Sequence, residues 1–134
     1  MNRWIGGCAL CMVVNHAVAA APLFCPASAP SDWGMTKPGK LESVRVLAYL
    51  AGDKLDDNAL PSGPPDREWT RAGALYQSWV MNTGAPKTVY QVDCLYTGTD
   101  RYLRLDAAHV KRCLAKWRLR RTAPVAGSLV FRCE

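Results

Sequence analysis

The chain has 134 residues, 49% of them hydrophobic, and a formal net charge of +6. That length fits one domain with a modest core, and no internal repeat or low-complexity tract is visible. Beyond the N-terminal segment no apolar stretch is long enough to cross a bilayer.

Met1-Asn2-Arg3 leads into an apolar run from Trp4 and then into Ala17-Val18-Ala19-Ala20-Ala21. A charged start, an apolar stretch and a small-residue end have the order of a secretory signal peptide. Residues 1–21 are assigned to it, with cleavage expected near Ala19, Ala20 or Ala21, and no span is expected in the remaining protein. The location this implies is periplasmic or secreted. Of six cysteines, Cys8 and Cys11 leave with the signal. Cys25, Cys94, Cys113 and Cys133 remain, and an even count in an exported small domain reads as two disulfides. A four-thiolate zinc site needs closely spaced ligand pairs, which these four do not form. No metal or other cofactor is expected.

Residues 22–40 read as an extended arm, rich in proline and tied down by Cys25, with Trp33 placed to pack on the core. Proline cannot donate to a sheet ladder, so no central strand is expected there. Residues 41–134 read as an antiparallel β domain. Leu41 to Leu50 has apolar residues on both parities, as in a strand covered on both faces. Lys54 to Arg67 is dense in turn residues and reads as a loop. Its acids, Asp56 and Asp57, lack the spacing of a calcium loop.

Leu75 to Met81 and Thr88 to Tyr96 flank Asn82-Thr83-Gly84-Ala85-Pro86 and read as a hairpin, with Trp79 near Tyr90 across the pair. A turn at residues 97–100 leads into a short strand, Arg101 to Leu105. Asp106 is placed to cap one helical turn over residues 106–110. From Arg112 the alternation separates Cys113, Ala115, Trp117 and Leu119 from Leu114, Lys116, Arg118 and Arg120. That split fits a half-buried strand with a basic outer face.

The last strand, Ser128 to Glu134, alternates through Leu129, Phe131 and Cys133. In a register whose paired numbers sum to 246, Cys113 faces Cys133, Ala115 faces Phe131 and Trp117 faces Leu129. A slip of one residue would turn Lys and Arg inward. This register favours Cys113–Cys133 with Cys25–Cys94. The nested alternative, Cys94–Cys113 with Cys25–Cys133, stays open, since sequence does not fix connectivity. The fold expected is mainly β: a small antiparallel sheet or sandwich of about five to six strands, two disulfides and at most a short helical turn.

Cys25-Pro26, Val46 to Leu50 with Gly52, Leu60-Pro61, Trp79, Tyr90 to Cys94, Tyr96-Thr97-Gly98-Thr99, Cys113 and Cys133 form a pattern. In it the chain resembles a family of small exported proteobacterial proteins with a Cys-x-Tyr-x-Gly-Thr motif and no established activity. The resemblance spans most of the exported part and implies location and architecture rather than chemistry. Residues 67–77 follow it less closely.

No catalytic residues are assigned. His109 is the one histidine left after the signal, no G-x-S-x-G nucleophile elbow exists, and a Cys-His enzyme needs a free thiolate. Glu68 beside Trp69 is the best isolated acid, because apolar burial disfavours a charged carboxylate. No P-loop, dinucleotide fingerprint or H-E-x-x-H is present. The charge is uneven: nine Lys/Arg against two acids from Arg101 onward, seven against nine from Pro22 to Asp100.

Lys111, Arg112, Lys116, Arg118, Arg120, Arg121 and Arg132 are therefore the candidate anion-binding residues. The role expected is a non-enzymatic exported protein that binds a partner macromolecule of the cell envelope, in the manner of an inhibitor or immunity protein. The alternatives are a binder of anionic envelope glycan or lipid through the basic strand and, third, a small hydrolase. Nucleic acid is not an expected partner, since the basic face lacks an obvious aromatic row.

Overall fold

The computed structural model describes residues 21–56 and 63–134. Residues 1–20 of the expected signal peptide, and the Asp57 and Leu60-Pro61 part of the expected loop, lie outside the described residues. Among the described residues there are nine strands: β1 (Leu23–Phe24), β2 (Leu41–Leu50), β3 (Arg67–Arg71), β4 (Ala74–Val80), β5 (Thr88–Tyr96), β6 (Tyr102–Asp106), β7 (Arg112–Arg120), β8 (Ala123–Pro124) and β9 (Val130–Cys133). One 3₁₀ turn covers Ser31–Trp33. The strands form two sheets, a large one in the order β1-β9-β7-β4-β3 with β8 on the end of β7, and a small one in the order β2-β5-β6. Every pairing is antiparallel.

One apolar cluster takes residues from both sheets: Val46, Val92, Cys94 and Tyr96 from the small sheet, Trp79, Cys113, Ala115, Phe131 and Cys133 from the large one. Along β7 the inner residues Cys113 and Ala115 are buried while Lys116, Arg118 and Arg120 are exposed. This is the period-two pattern of a strand with one face on a core. Strand β9 pairs with β7 as Cys113↔Cys133, Leu114↔Arg132, Ala115↔Phe131 and Lys116↔Val130, the register in which paired numbers sum to 246. Disulfides join Cys113 to Cys133 and Cys25 to Cys94.

The arm adds an edge strand, β1, between Pro22 and Pro26, and is fastened by Cys25–Cys94 and by several backbone bonds. At Gly39 a side chain would collide with the Thr97 carbonyl, so the arm passes the end of β5 at backbone distance. Trp33 meets Tyr96 edge-on, ring centroids 5.7 Å apart. The Tyr96 hydroxyl, in turn, donates to the Pro26 carbonyl at 3.0 Å.

Three expectations are corrected. Strands β4 and β5 are not a hairpin. Strand β4 pairs with β3 and β7, and β5 pairs with β2 and β6. The segment between them crosses from one sheet to the other, tied by Met81 N–H to the Lys111 carbonyl and by Asn82 Nδ2 to the Ala107 and Val110 carbonyls. Trp79 therefore meets Phe131, at 6.1 Å, as its ring partner. Both strands offer an apolar face to the same core, and alternation does not say which neighbour completes each ladder.

The tight hairpin is instead β3–β4. It turns on Ala72 and Gly73, both with positive φ (50° and 72°), as a two-residue type I′ loop requires. Residues from Arg67 to Arg71, expected to be loop or indefinite, are its first strand. Residues 107–110 form a turn rather than a helix: Asp106 Oδ1 accepts from Ala108 N at 2.9 Å and the chain then enters β7.

Loop entropy ranks the two bridges. Cys113–Cys133 spans 20 residues and Cys25–Cys94 spans 69, so replacing both cysteines by Ala should cost about 3 and about 4 kcal/mol respectively. Denaturant midpoints check the order, and a larger loss for the Cys113–Cys133 pair would contradict it.

Tyr96 adds a pH term. Burial pushes its phenol above the ordinary 10.0, so the fold favours the neutral form. That contribution is complete below pH 10 and is lost as pH rises through the raised folded value. Melting temperature should therefore fall above about pH 10, and fall less in Tyr96→Phe. An identical profile in that variant would refute the assignment.

Candidate functional site

Cross-strand register assembles the outer face of the large sheet. Residues directly opposite each other point to the same side. From β7, Arg112, Leu114, Lys116 and Arg118 face outward, opposite Val80, Ser78, Tyr76 and Ala74 of β4. Ser78, Tyr76 and Ala74 are in turn opposite Arg67, Trp69 and Arg71 of β3. On the other side Arg132 and Val130 of β9 lie opposite Leu114 and Lys116, and Phe24 of β1 lies opposite Arg132. Six cations thus share one face: Arg67, Arg71, Arg112, Lys116, Arg118 and Arg132.

A row of ring and cation contacts crosses this face. The Arg67 guanidinium carbon lies 5.6 Å from the Trp69 ring centre. Trp69 and Tyr76 stack at 5.3 Å with 6° between their planes, and Lys116 Nζ lies 5.6 Å from the Tyr76 ring centre. Such contacts hold cations in place at little cost in hydration. At one end of the face an open groove of about 370 Å³ is lined by Arg67, Arg112 and Arg132, with Trp69, Val80 and Leu114 as apolar wall. Two carboxylates, Asp66 and Glu134, also line it, and Asp66 Oδ2 accepts the Val80 N–H. At the other end a hollow of about 480 Å³ is rimmed by Lys116, Arg118 and Arg120.

The outer face of the small sheet is different. Asp93, on β5, is fully buried and sits opposite Arg45 of β2 and Arg104 of β6. Arg45 Nη2 donates to Oδ2 at 2.9 Å, Arg104 Nε to Oδ1 at 2.7 Å and Arg104 Nη2 to Oδ2 at 3.0 Å. Both guanidinium carbons lie 4.9 Å from the Tyr102 ring centre. These arginines are committed to a buried carboxylate that needs them. Among the described residues the salt bridges are those on Asp93, and none involves the six cations of the large-sheet face.

Of the seven predicted anion-site residues, the structure brings Arg112, Lys116, Arg118 and Arg132 to one face, with Arg120 at its end. Lys111 and Arg121 lie just outside the two ends of β7. Lys111 N–H is bonded to the Glu134 carbonyl, and Arg121 occupies a turn with φ 60°.

Arg67, Trp69, Arg71 and Tyr76 fall outside the seven residues expected from the sequence, because Arg67 ends a stretch that reads as loop and the next strand reads as starting at Leu75. The signal that finds them is the alternation Arg67, Trp69, Arg71 running into the Ala72-Gly73 turn. The aromatic pair missing from the basic face is supplied by those two strands.

Glu68 is exposed, lies on the opposite side of β3 from Trp69, and accepts a hydrogen bond from Gln77 Nε2 at 2.6 Å. The apolar burial expected for it is not there. His109 is exposed in the turn before β7. Among the described residues no group of three or more His, Cys, Asp or Glu is arranged to hold a metal ion, and no helix is long and apolar enough to cross a membrane. No protein-family model, curated protein or solved structure matches the chain.

Proposed function

We propose that this is an exported protein that binds an anionic component of the cell envelope, a phosphate- or carboxylate-bearing glycan or lipid, on the outer face of its large sheet. The observation that carries the reading is six cations on one sheet face, none of them in a salt bridge among the described residues. Two disulfides fit an oxidising compartment, and the signal-like leader and the resemblance to small exported proteins point the same way.

Arginine forks match the paired oxygens of carboxylate and phosphate. The face also carries exposed Phe24 on β1, Val130 on β9 and Val80 on β4, which suit the apolar part of an amphiphile. The rings of Trp69 and Tyr76 are already engaged with each other and with Arg67 and Lys116. The face therefore offers cations more than free ring surfaces, which favours a charged ligand over stacked bases.

Binding to vesicles containing an anionic phospholipid, or to an anionic polysaccharide, should weaken as salt rises. Neutralising Lys116 and Arg118 with Gln should cost about 1 kcal/mol per residue without lowering the melting temperature. Unchanged binding in that variant would rule the face out. Retention of an acidic envelope protein, with no affinity for vesicle or polysaccharide, would transfer the function to the inhibitor or immunity reading.

A further inference from the structure

The hollow at the β3–β4 turn has a lining unlike the rest of the basic face. It is lined by residues 72–74, Leu119 and Val125 together with three cations, Lys116, Arg118 and Arg120. No carboxylate lines it, whereas the groove at the other end sets Asp66 and Glu134 against its three arginines. The turn residues carry nothing beyond a β-carbon, and a β-carbon added at Gly73 would meet no atom within 4 Å. The space is therefore open as well as positively rimmed.

The frame of the hollow is held. Leu119 N–H donates to the Gly73 carbonyl at 2.8 Å, fixing the turn to β7. Arg118 is fastened on both backbone sides, its N–H to Ser128 Oγ at 3.0 Å and its carbonyl to Val125 N at 2.8 Å. Alternate residues of one strand stand about 6.8 Å apart, inside the screening length of about 10 Å at 0.1 M salt. Arg118 therefore repels the cation on either side of it until an anion joins them. A carboxylate brings one negative charge to this rim, and a phosphomonoester brings up to two with three acceptor oxygens.

We propose that this hollow is a phosphate subsite, taking the phosphomonoester of the envelope glycan or lipid that the basic face binds. The inference rests on that functional reading and adds a location and a ligand group to it.

The test uses the intact, disulfide-bonded protein and inorganic phosphate, with chloride at matched ionic strength as control, read by amide chemical shifts. Saturable shifts confined to residues 72–74 and 116–120, absent with chloride, are expected. Arg118→Lys with Arg120→Lys keeps the charge but removes the forks, and should weaken phosphate about tenfold. The melting temperature should be unchanged in that variant, which separates loss of the forks from loss of the fold. Two further probes identify the source: vesicles bearing a phosphomonoester lipid, and a soluble sugar phosphate. Loss of either interaction in the Lys variant supports the subsite and names its carrier.

Shifts that track ionic strength, that centre on Arg67, Arg112 and Arg132, or that survive the double Lys substitution would overturn it. If polysaccharide retention persists while phosphate fails at the hollow, the subsite falls and the basic face stands. If both fail, both fall.

Discussion

Arg112 and Glu134 exchange both backbone hydrogen bonds, at 3.0 and 2.9 Å, which makes their neighbours Cys113 and Cys133 a pair without ladder bonds and with closely approaching side chains. The Cα atoms of that pair are 4.0 Å apart and the disulfide closes there. With this register fixed, Ala115 meets Phe131 on the core side. Every even-numbered residue of β7 is then committed to the other side. A slip by one would put Lys116 and Arg118 into the core and bring Ala115 and Phe131 out, so the strand has one acceptable partner alignment. The cationic face is the consequence of this packing, and β4 and β3 extend it outward by the same alternation.

The rest of the molecule explains why only one of its two outer faces is a candidate. The small sheet also presents arginines, Arg45 and Arg104, but Asp93 takes up both. A fully buried carboxylate cannot be left unpaired without a large desolvation cost, so those two side chains serve the fold. On the large sheet Asp66 and Glu134 stand near three of the arginines, but among the described residues none of the six cations is in a salt bridge. Its Trp69–Tyr76 pair props Arg67 and Lys116 in position. The second disulfide, Cys25–Cys94, together with the Tyr96–Pro26 bond, draws the arm over the core. The arm in turn supplies β1, which covers the outer edge of β9 and places Phe24 beside Arg132.

Much of this architecture is legible in the residues, and the exceptions share a cause. Strand β2 runs from Leu41 to Leu50 as its composition implies, and β7 from Arg112 to Arg120. The β7–β9 register follows from matching two apolar pairs and a cysteine pair, because that match has a single solution. Partner choice for β4 and β5 has no such solution. Both have a core-facing parity, and the connection between them has turn residues compatible with either a hairpin or a crossing.

Strand β3 escapes because Arg67, Glu68, Thr70 and Arg71 are exposed and only Trp69 carries an apolar signal. An edge strand of charged residues reads as loop, although charge is one way proteins blunt an edge. Arg67, Arg71 and Trp69 lie on that strand, so they and the aromatic row are not legible as part of the basic face from sequence.

The central claim is that function resides on the face opposite the shared core, across β3, β4, β7 and β9. Mapping amide chemical shifts of the intact protein during titration with an anionic envelope polysaccharide addresses it directly. The account predicts perturbations that concentrate on those four strands and leave β2, β5 and β6 unmoved. A footprint centred on the Arg45–Asp93–Arg104 face of the small sheet would contradict it.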